Sequence, residues 1–315
     1  MIAVLSGGVG AARMLRALTL VMPAEELVAV VNTGDDLELY GLSISPDLDT
    51  VLYTLAGAIN EETGWGLVEE SFSTLGALAR YGVPTWFGLG DKDLATHIYR
   101  SMRLREGAPL SRVTAEIARA WGVVSTVLPM TDQRVRTKLT LADGDEIDFQ
   151  EYFVRRGHAV AVRSVRFEGA EEALLAPGVL EALETAELIV VAPSNPIVSI
   201  GPILALPGVR EALGARRASV VAVSPIIGGR ALKGPADRLL GELGGEASAL
   251  GVAAHLREVI GSIVIDVVDA GLATEISGLD VTAVVTETIM RTPEISAKLA
   301  TAVLEAGRRR VRAGR

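Results

Sequence analysis

Two aspartates, Asp47 and Asp49, stand two residues apart in the stretch SPDLDTVLY, after a proline and before an apolar run. Carboxylates in that position have two chemical uses. They accept hydrogen bonds from the free N–H groups of a helix, here one opening near Thr50. Alternatively they hold a divalent cation or a hydroxyl group, because hard cations such as Mg²⁺ favour carboxylate oxygens. A second cluster, GLGDKDLATH over 88–97, adds Asp91, Lys92, Asp93 and His97, with an aspartate-capped helix as its plain alternative. His97, His158 and His255 show no metal-ligand spacing, so zinc is not expected. Neither a Ser-His-Asp order nor a G-x-S-x-G elbow is present. The chain has no cysteine, which removes disulfides, thiolate metal sites and thiolate nucleophiles together. The chemistry left is that of carboxylates beside phosphate-cradling loops, which points to Mg²⁺-assisted reaction at a phosphate.

The elements that would position these groups follow from the apolar runs. IAVLSGGVGAARMLRALTLV reads as strand, glycine turn and helix, with Gly7, Gly8 and Gly10 at the turn and Leu15 and Leu18 at helical spacing. ELVAVVNTGDD repeats strand and polar turn, ending in Asn32, Asp35 and Asp36. Further continuous apolar runs lead into PSNP (Ser194, Asn195) and SPIIGG (Ser224), and another is GSIVIDVVD. Such runs suit parallel strands covered on both faces. The expected fold class is α/β, a Rossmann-like, doubly wound, mainly parallel sheet. Residues 1–60 and 186–315 make its core. Residues 61–185, with amphipathic helices and then an alternating stretch turning at Asp143-Gly144, form a large mixed helical/β insertion over the site. Ligands of an open parallel sheet bind beyond the carboxyl ends of its strands. Four loops rich in Gly, Ser, Asn and Pro on that edge suit an anionic, phosphorylated ligand. As a dinucleotide fingerprint SGGVGAAR is weak, since Arg13 stands where the third glycine would fall. An NAD-dependent oxidoreductase would rest on that pattern alone, and Asn32 occupies the place of an acid closing the second strand.

The 315 residues suffice for one large α/β domain or a core with one sizeable insertion. A net charge of −9 argues against a nucleic-acid surface. The basic run RRRVR, Arg308 to Arg312, reads as a solvated helix end suited to the macrodipole. No apolar run is long enough to span a bilayer, and MIAVLSGG lacks a basic leader or cleavage site, so a cytoplasmic protein without a membrane partner is expected.

Taken together, LSGGVGAAR, VVNTGDD, SPDLDTVLY, GLGDKDLATHIYR, LPMTD, APSNPIVSIGPILALPGVR and VSPIIGG resemble the 2-phospho-L-lactate transferase family, from Ile2 to about Thr292. The joint occurrence of SPDLDTVLY, LGDKDLATH and PSNPIVSIGPI is the specific part. The resemblance implies a transferase of coenzyme F-420 biosynthesis, usually dimeric. It would move a phospho-acyl group (2-phospholactyl, phosphoenolpyruvyl or 3-phosphoglyceryl) from a guanosine diphospho-linked donor to the ribityl hydroxyl of the deazaflavin Fo. GMP is released and Mg²⁺ is required. The resemblance makes Asp49 and Asp47 catalytic and metal-binding, with Asp49 on the Fo side. Gly7, Gly8 and Gly10 would cradle phosphate, and Ser194, Asn195 and Ser224 would contact the guanosine or its phosphates. Asn32, Asp35, Asp36, Gly88, Asp91, Lys92 and Thr131 complete the expected substrate contacts. Lys92 fills one basic place of the family, but Gly88 stands about where some members carry lysine. The gluconeogenesis-factor proteins resemble this family in fold and glycine turn, and are the alternative: a non-catalytic, nucleotide-sugar-binding regulator. They lack SPDLDTVLY followed by LGDKDLATH.

Overall fold

The computed structural model describes the backbone of residues 1–313 and side chains through residue 308. Its strands are, in chain order, β1 (Ile2–Ser6), β2 (Leu27–Val31), β3 (Leu37–Leu39), β4 (Leu42–Ile44), β5 (Thr126–Pro129), β6 (Arg136–Leu141), β7 (Glu146–Asp148), β8 (Val162–Glu168), β9 (Leu188–Val191), β10 (Val220–Val223), β11 (Ile226–Ile227), β12 (Arg230–Ala231), β13 (Ser262–Asp266) and β14 (Thr282–Thr286). The α-helices are α1 (Gly8–Thr19), α2 (Pro46–Leu55), α3 (Ser73–Ala79), α4 (Asp93–Arg105), α5 (Leu110–Ala120), α6 (Val179–Thr185), α7 (Gly201–Leu204), α8 (Val209–Ala215), α9 (Ala236–Glu242), α10 (Ala249–Leu256), α11 (Ala273–Ser277) and α12 (Pro293–Ala313).

Seven strands form one parallel sheet in the order β14-β13-β10-β9-β1-β2-β5. Val4 of β1 lies between Ala29 of β2 and Val190 of β9 in register. The alternation within β1 shows why its run is apolar throughout. Ile2 and Val4 face a core built with α1, α2, α5 and α12, while Ala3 and Leu5 face a second core with α6 to α11. Burial on both faces demands apolar residues at every position, as expected of a doubly wound sheet. The chain leaves β1 toward β2 on one side and returns to β9 on the other. The strand order therefore reverses between β1 and β9, the point where such sheets bind ligands.

The range 61–185 read as an insertion holds the expected helices α3, α4 and α5 and an antiparallel sheet β7-β6-β8. Its turn at Asp143-Gly144 joins β6 to β7, with Gly144 at φ 98°. One segment of that range belongs to the main sheet: β5 pairs with β2 from Val28↔Thr126 to Val31↔Pro129. It follows α5, which packs against it, and as an edge strand with Thr126 exposed and Leu128 half-buried it lacks the continuous apolar run that marks the central strands. Arg308 on α12 donates to Glu187, and the side chains of the basic run beyond it lie outside the described residues. Among the described residues no helix is long and apolar enough to cross a membrane.

Candidate active site

The loops leaving β1, β2, β9 and β10 open into a cavity of about 410 Å³ above the switch point. Gly7, Gly8, Gly10, Asp35, Asp47, Asp49, Gly88, Ser194, Asn195 and Ser224 line it, so ten of the expected residues converge there. The loop after β14 adds Thr288, Ile289 and Met290. Trp65, Phe87, Phe149 and Phe153 form aromatic walls, with Phe149 and Phe153 stacked at 5.4 Å.

The Asp pair sits on α2, which opens at Pro46 rather than near Thr50. Proline suits the first turn because its missing N–H would have no partner there. Neither aspartate caps this helix. Asp47 instead accepts from Gly8 N–H at 2.8 Å through Oδ1 and from the Asn32 amide at 3.0 Å through Oδ2. Asn32 in turn accepts from Gly34 N–H at 2.8 Å, so the end of β2 holds the acid in place. Burial pushes the Asp47 carboxyl up to about 6, against the lowering effect of those two donors. Burial and the charge of Asp47 push Asp35 well above the usual carboxylate range, and burial does the same to Asp36. Asp36 takes the Ser45 hydroxyl at 2.6 Å and stands behind the lining, while Oδ1 of both Asp35 and Asp36 is buried without a hydrogen-bond partner.

Asp49 meets a cation from another element. Arg100 on α4 grips its carboxylate with both terminal nitrogens, Nη1 at 3.1 Å from Oδ2 and Nη2 on Oδ1. The pair is buried, with the Arg100 side chain 1% exposed. His97, one turn earlier on α4, has Nδ1 3.7 Å from Asp49 and Nε2 3.0 Å from Asp93. Tyr53 donates to Asp93 at 2.6 Å. Against the penalty of burial, His97, Tyr53 and the Arg100 charge hold the Asp93 carboxyl below its ordinary range.

The glycine-turn side of the cavity is formed by close approach. A Cβ on Gly10 would lie 2.2 Å from the Pro193 carbonyl oxygen, so only glycine lets α1 start against the β9 loop. Gly8 has φ +72°, a conformation glycine adopts without strain. Ser194 Oγ and Asn195 Nδ2 are buried with no partner in the protein. Ser224 differs, since its hydroxyl bridges Ile226 O and N within its own turn.

Five expected contacts fall outside the lining: Asn32 and Asp36 stand behind it, bonded to Asp47 and Ser45, and Asp91, Lys92 and Thr131 are engaged elsewhere. Asp91 accepts from Ser71 Oγ, Ser73 N and Thr74 N, so it anchors the start of α3, and these bonds hold its carboxyl far below the usual range. Lys92 places its amine on the Val68 carbonyl at 3.0 Å. Thr131 donates to Leu174 O at 2.6 Å and is wholly buried. The missing basic residue at Gly88 has a steric account. A Cβ there would lie 3.0 Å from the Trp65 ring, which fills that space. Arg13, Lys233, Arg100, Tyr53 and the aromatic walls are site residues that motif and spacing did not mark. Arg13 did carry a signal, being the basic residue one turn into the helix of the glycine loop.

The donor set fits a hard divalent cation. Three buried carboxyls are pushed up by desolvation, and two of them keep an oxygen without a partner, a cluster short of positive charge. Asp47 is bonded to neutral donors only, whereas Asp49 shares its charge with Arg100. Among the described residues Asp49, Asp93 and His97 form a second set, with ligand atoms within 4.8 Å of one another. There Arg100 already supplies a cation to Asp49.

Fold and site together define a Rossmann-like α/β protein with a glycine turn and a carboxylate cluster at its switch point. Residues 2–294 match the family described as 2-phospho-L-lactate transferase CofD, and the chain belongs to that family of transferases. A phosphoenolpyruvate transferase of Streptomyces griseus is 45% identical over 309 residues, covering 96% of this chain and 97% of the relative. One from Mycolicibacterium smegmatis is 42% identical over 321 residues, covering 96% and 98%. Among solved structures, a UPF0052-family protein of Bacillus halodurans aligns with a TM-score of 0.65 at 15% identity, covering 96% of this chain and 99% of that one. At that identity the likeness concerns the fold.

Proposed function

We propose that the protein transfers a phospho-acyl group from a guanosine diphospho-linked donor to the terminal ribityl hydroxyl of the deazaflavin Fo, releasing GMP, in coenzyme F-420 biosynthesis. The observation that carries this reading is the convergence of Asp35, Asp47 and Asp49 with the β1–α1 glycine turn on one cavity. The name shared by the relatives supports phosphoenolpyruvate as the donor acid, in preference to 2-phospholactate or 3-phosphoglycerate. The protein works as a cytoplasmic homodimer, with no nucleic acid or membrane involved.

In this reaction the acceptor oxygen bonds to the phosphorus of the phospho-acid. The phosphoanhydride bond to GMP breaks, and its electron pair leaves on the GMP phosphate. Asp47 and Asp49 would hold Mg²⁺, which when bound neutralises the diphosphate and lowers the pKa of the hydroxyl. Asp49, fixed by Arg100, orients that hydroxyl. Its proton passes to the carboxyl of Asp35, a lining residue kept basic by burial. Ser194 and Asn195 offer their free polar atoms to the guanosine diphosphate.

The test combines the protein with Fo, GTP, a guanylyltransferase and each of the three acids, and weighs the products. A product carrying the phosphoenolpyruvyl mass, formed together with GMP, is expected. Nucleotide binding without product from any acid would overturn the reading in favour of the non-catalytic, nucleotide-sugar-binding regulator.

A further inference from the structure

The cavity is lined by Asp35, Asp47, Asp49 and Asp93, yet a diphosphate must be met by cations. Arg100 is committed to Asp49, and Lys92 points its amine at Val68 outside the lining. Two other cations face the cavity: Arg13, one turn into α1, and Lys233, on the loop between β12 and α9. Arg13 makes no hydrogen bond or ion pair among the described residues; the nearby Glu61 is bonded to Arg16 instead. Lys233 Nζ rests on a neutral acceptor, the Thr63 carbonyl, at 3.1 Å. Burial, and then the like charge of Arg13, pull the Lys233 amine below its ordinary pKa. Two cations thus stand within reach of each other, with no carboxylate bonded to either. Beside them is the opening turn of α1, a 12-residue helix with no acid of its own in that turn; Gly8 N–H goes to Asp47, and the N–H groups that follow it are the ones left for a ligand. Ser194, 6% exposed, has a hydroxyl with no partner on the same rim.

We propose that Arg13 and Lys233 form a clamp for the diphosphate of the donor, completed by the α1 amides and Ser194. The ligand class follows from charge. A group with two adjacent negative charges satisfies both cations at once and relieves their mutual repulsion, whereas a single carboxylate satisfies one. On binding, Lys233 exchanges the Thr63 carbonyl for a phosphate oxygen. The inference rests on the proposed function for the identity of the nucleoside, and on the cavity alone for the diphosphate.

Calorimetric titration with GDP, inorganic pyrophosphate and guanosine tests it on the full chain. Arg13→Gln and Lys233→Gln should each weaken GDP and pyrophosphate about tenfold or more, the loss expected of one charge-assisted hydrogen bond. The salt dependence should flatten, and guanosine affinity should stay within twofold. Lys233→Arg should keep GDP affinity within about threefold, and the remote control Lys298→Gln should leave it unchanged. Unaltered GDP and pyrophosphate affinity in both glutamine variants would overturn the clamp, as would an equal loss for guanosine, which marks a merely structural role. If the native chain binds pyrophosphate through these residues but not GDP, the clamp stands and the guanosine reading falls. If the native chain binds neither anion, the clamp falls.

Discussion

Asp49 illustrates how a partner changes the meaning of a residue. As a rim carboxylate it would be replaceable at little cost to stability, and its loss would read out in turnover alone. Buried against Arg100, it is half of an ion pair whose other half sits on a different helix. Asp49→Asn should lower turnover at least about a hundredfold, typical of a strong transition-state contact. It should also destabilise the fold by roughly 3–5 kcal/mol, because the Arg100 guanidinium is left buried and uncompensated. Chemical denaturation measures the second effect. The double variant Asp49→Asn/Arg100→Met should recover much of the stability but none of the turnover. An Asp49→Asn protein as stable as the native one would mean that the pair does not form in solution.

The β1–α1 turn and the β9 loop act as one element because their backbones touch. Gly10 abuts Pro193, and Gly7 leaves only 2.7 Å between a Cβ and the Ser199 side chain. Gly10→Ala should therefore push the 193–195 loop outward, moving Ser194 and Asn195 away from the proposed diphosphate position. Overpacking of this kind costs about 1–3 kcal/mol. A lower melting temperature and GDP affinity reduced tenfold or more are expected, read by calorimetry on a variant shown to be folded by circular dichroism. Native affinity in that variant would show that the loop adjusts freely and takes no part in the site.

Across the whole molecule, net charge −9 and a buried carboxyl cluster make cation binding and protonation compete. A carboxyl whose folded pKa lies above its unfolded value binds more protons when folded. Ionising it therefore removes stability, here for Asp47 between about pH 4 and its folded value of about 6. A cation that replaces the proton restores what ionisation removes. Mg²⁺ should raise the melting temperature more at pH 7.5 than at pH 5, measured by scanning calorimetry against EDTA. Equal shifts at both pH values would locate the cation away from these carboxyls. EDTA should also abolish turnover, while GDP still binds weakly through the α1 amides.

The parallel sheet and the loops that border the cavity were readable from the chain alone, since continuous apolar runs and glycine turns are local patterns, whereas the strand order was not. Ile2–Leu5 and Leu27–Val31 must be strands because a doubly covered sheet tolerates nothing polar there. β5 escaped that reading because it is an edge strand, half covered and without a continuous apolar run, and only its pairing with β2 identifies it. The partners of the chemical groups were not readable, because each arrives from a distant segment. Asp47 is met by Gly8, 39 residues away, Asp49 by Arg100, 51 away, and Lys233 by Thr63, 170 away. Residue type and spacing left Asp47 and Asp49 between helix capping and cation binding, and the family resemblance alone turned them toward the site. Tertiary packing alone decided which carboxylate is neutralised by an arginine, which stays short of positive charge, and which lysine faces the cavity, because burial and long-range contact set those electrostatics and neither is encoded in a local pattern.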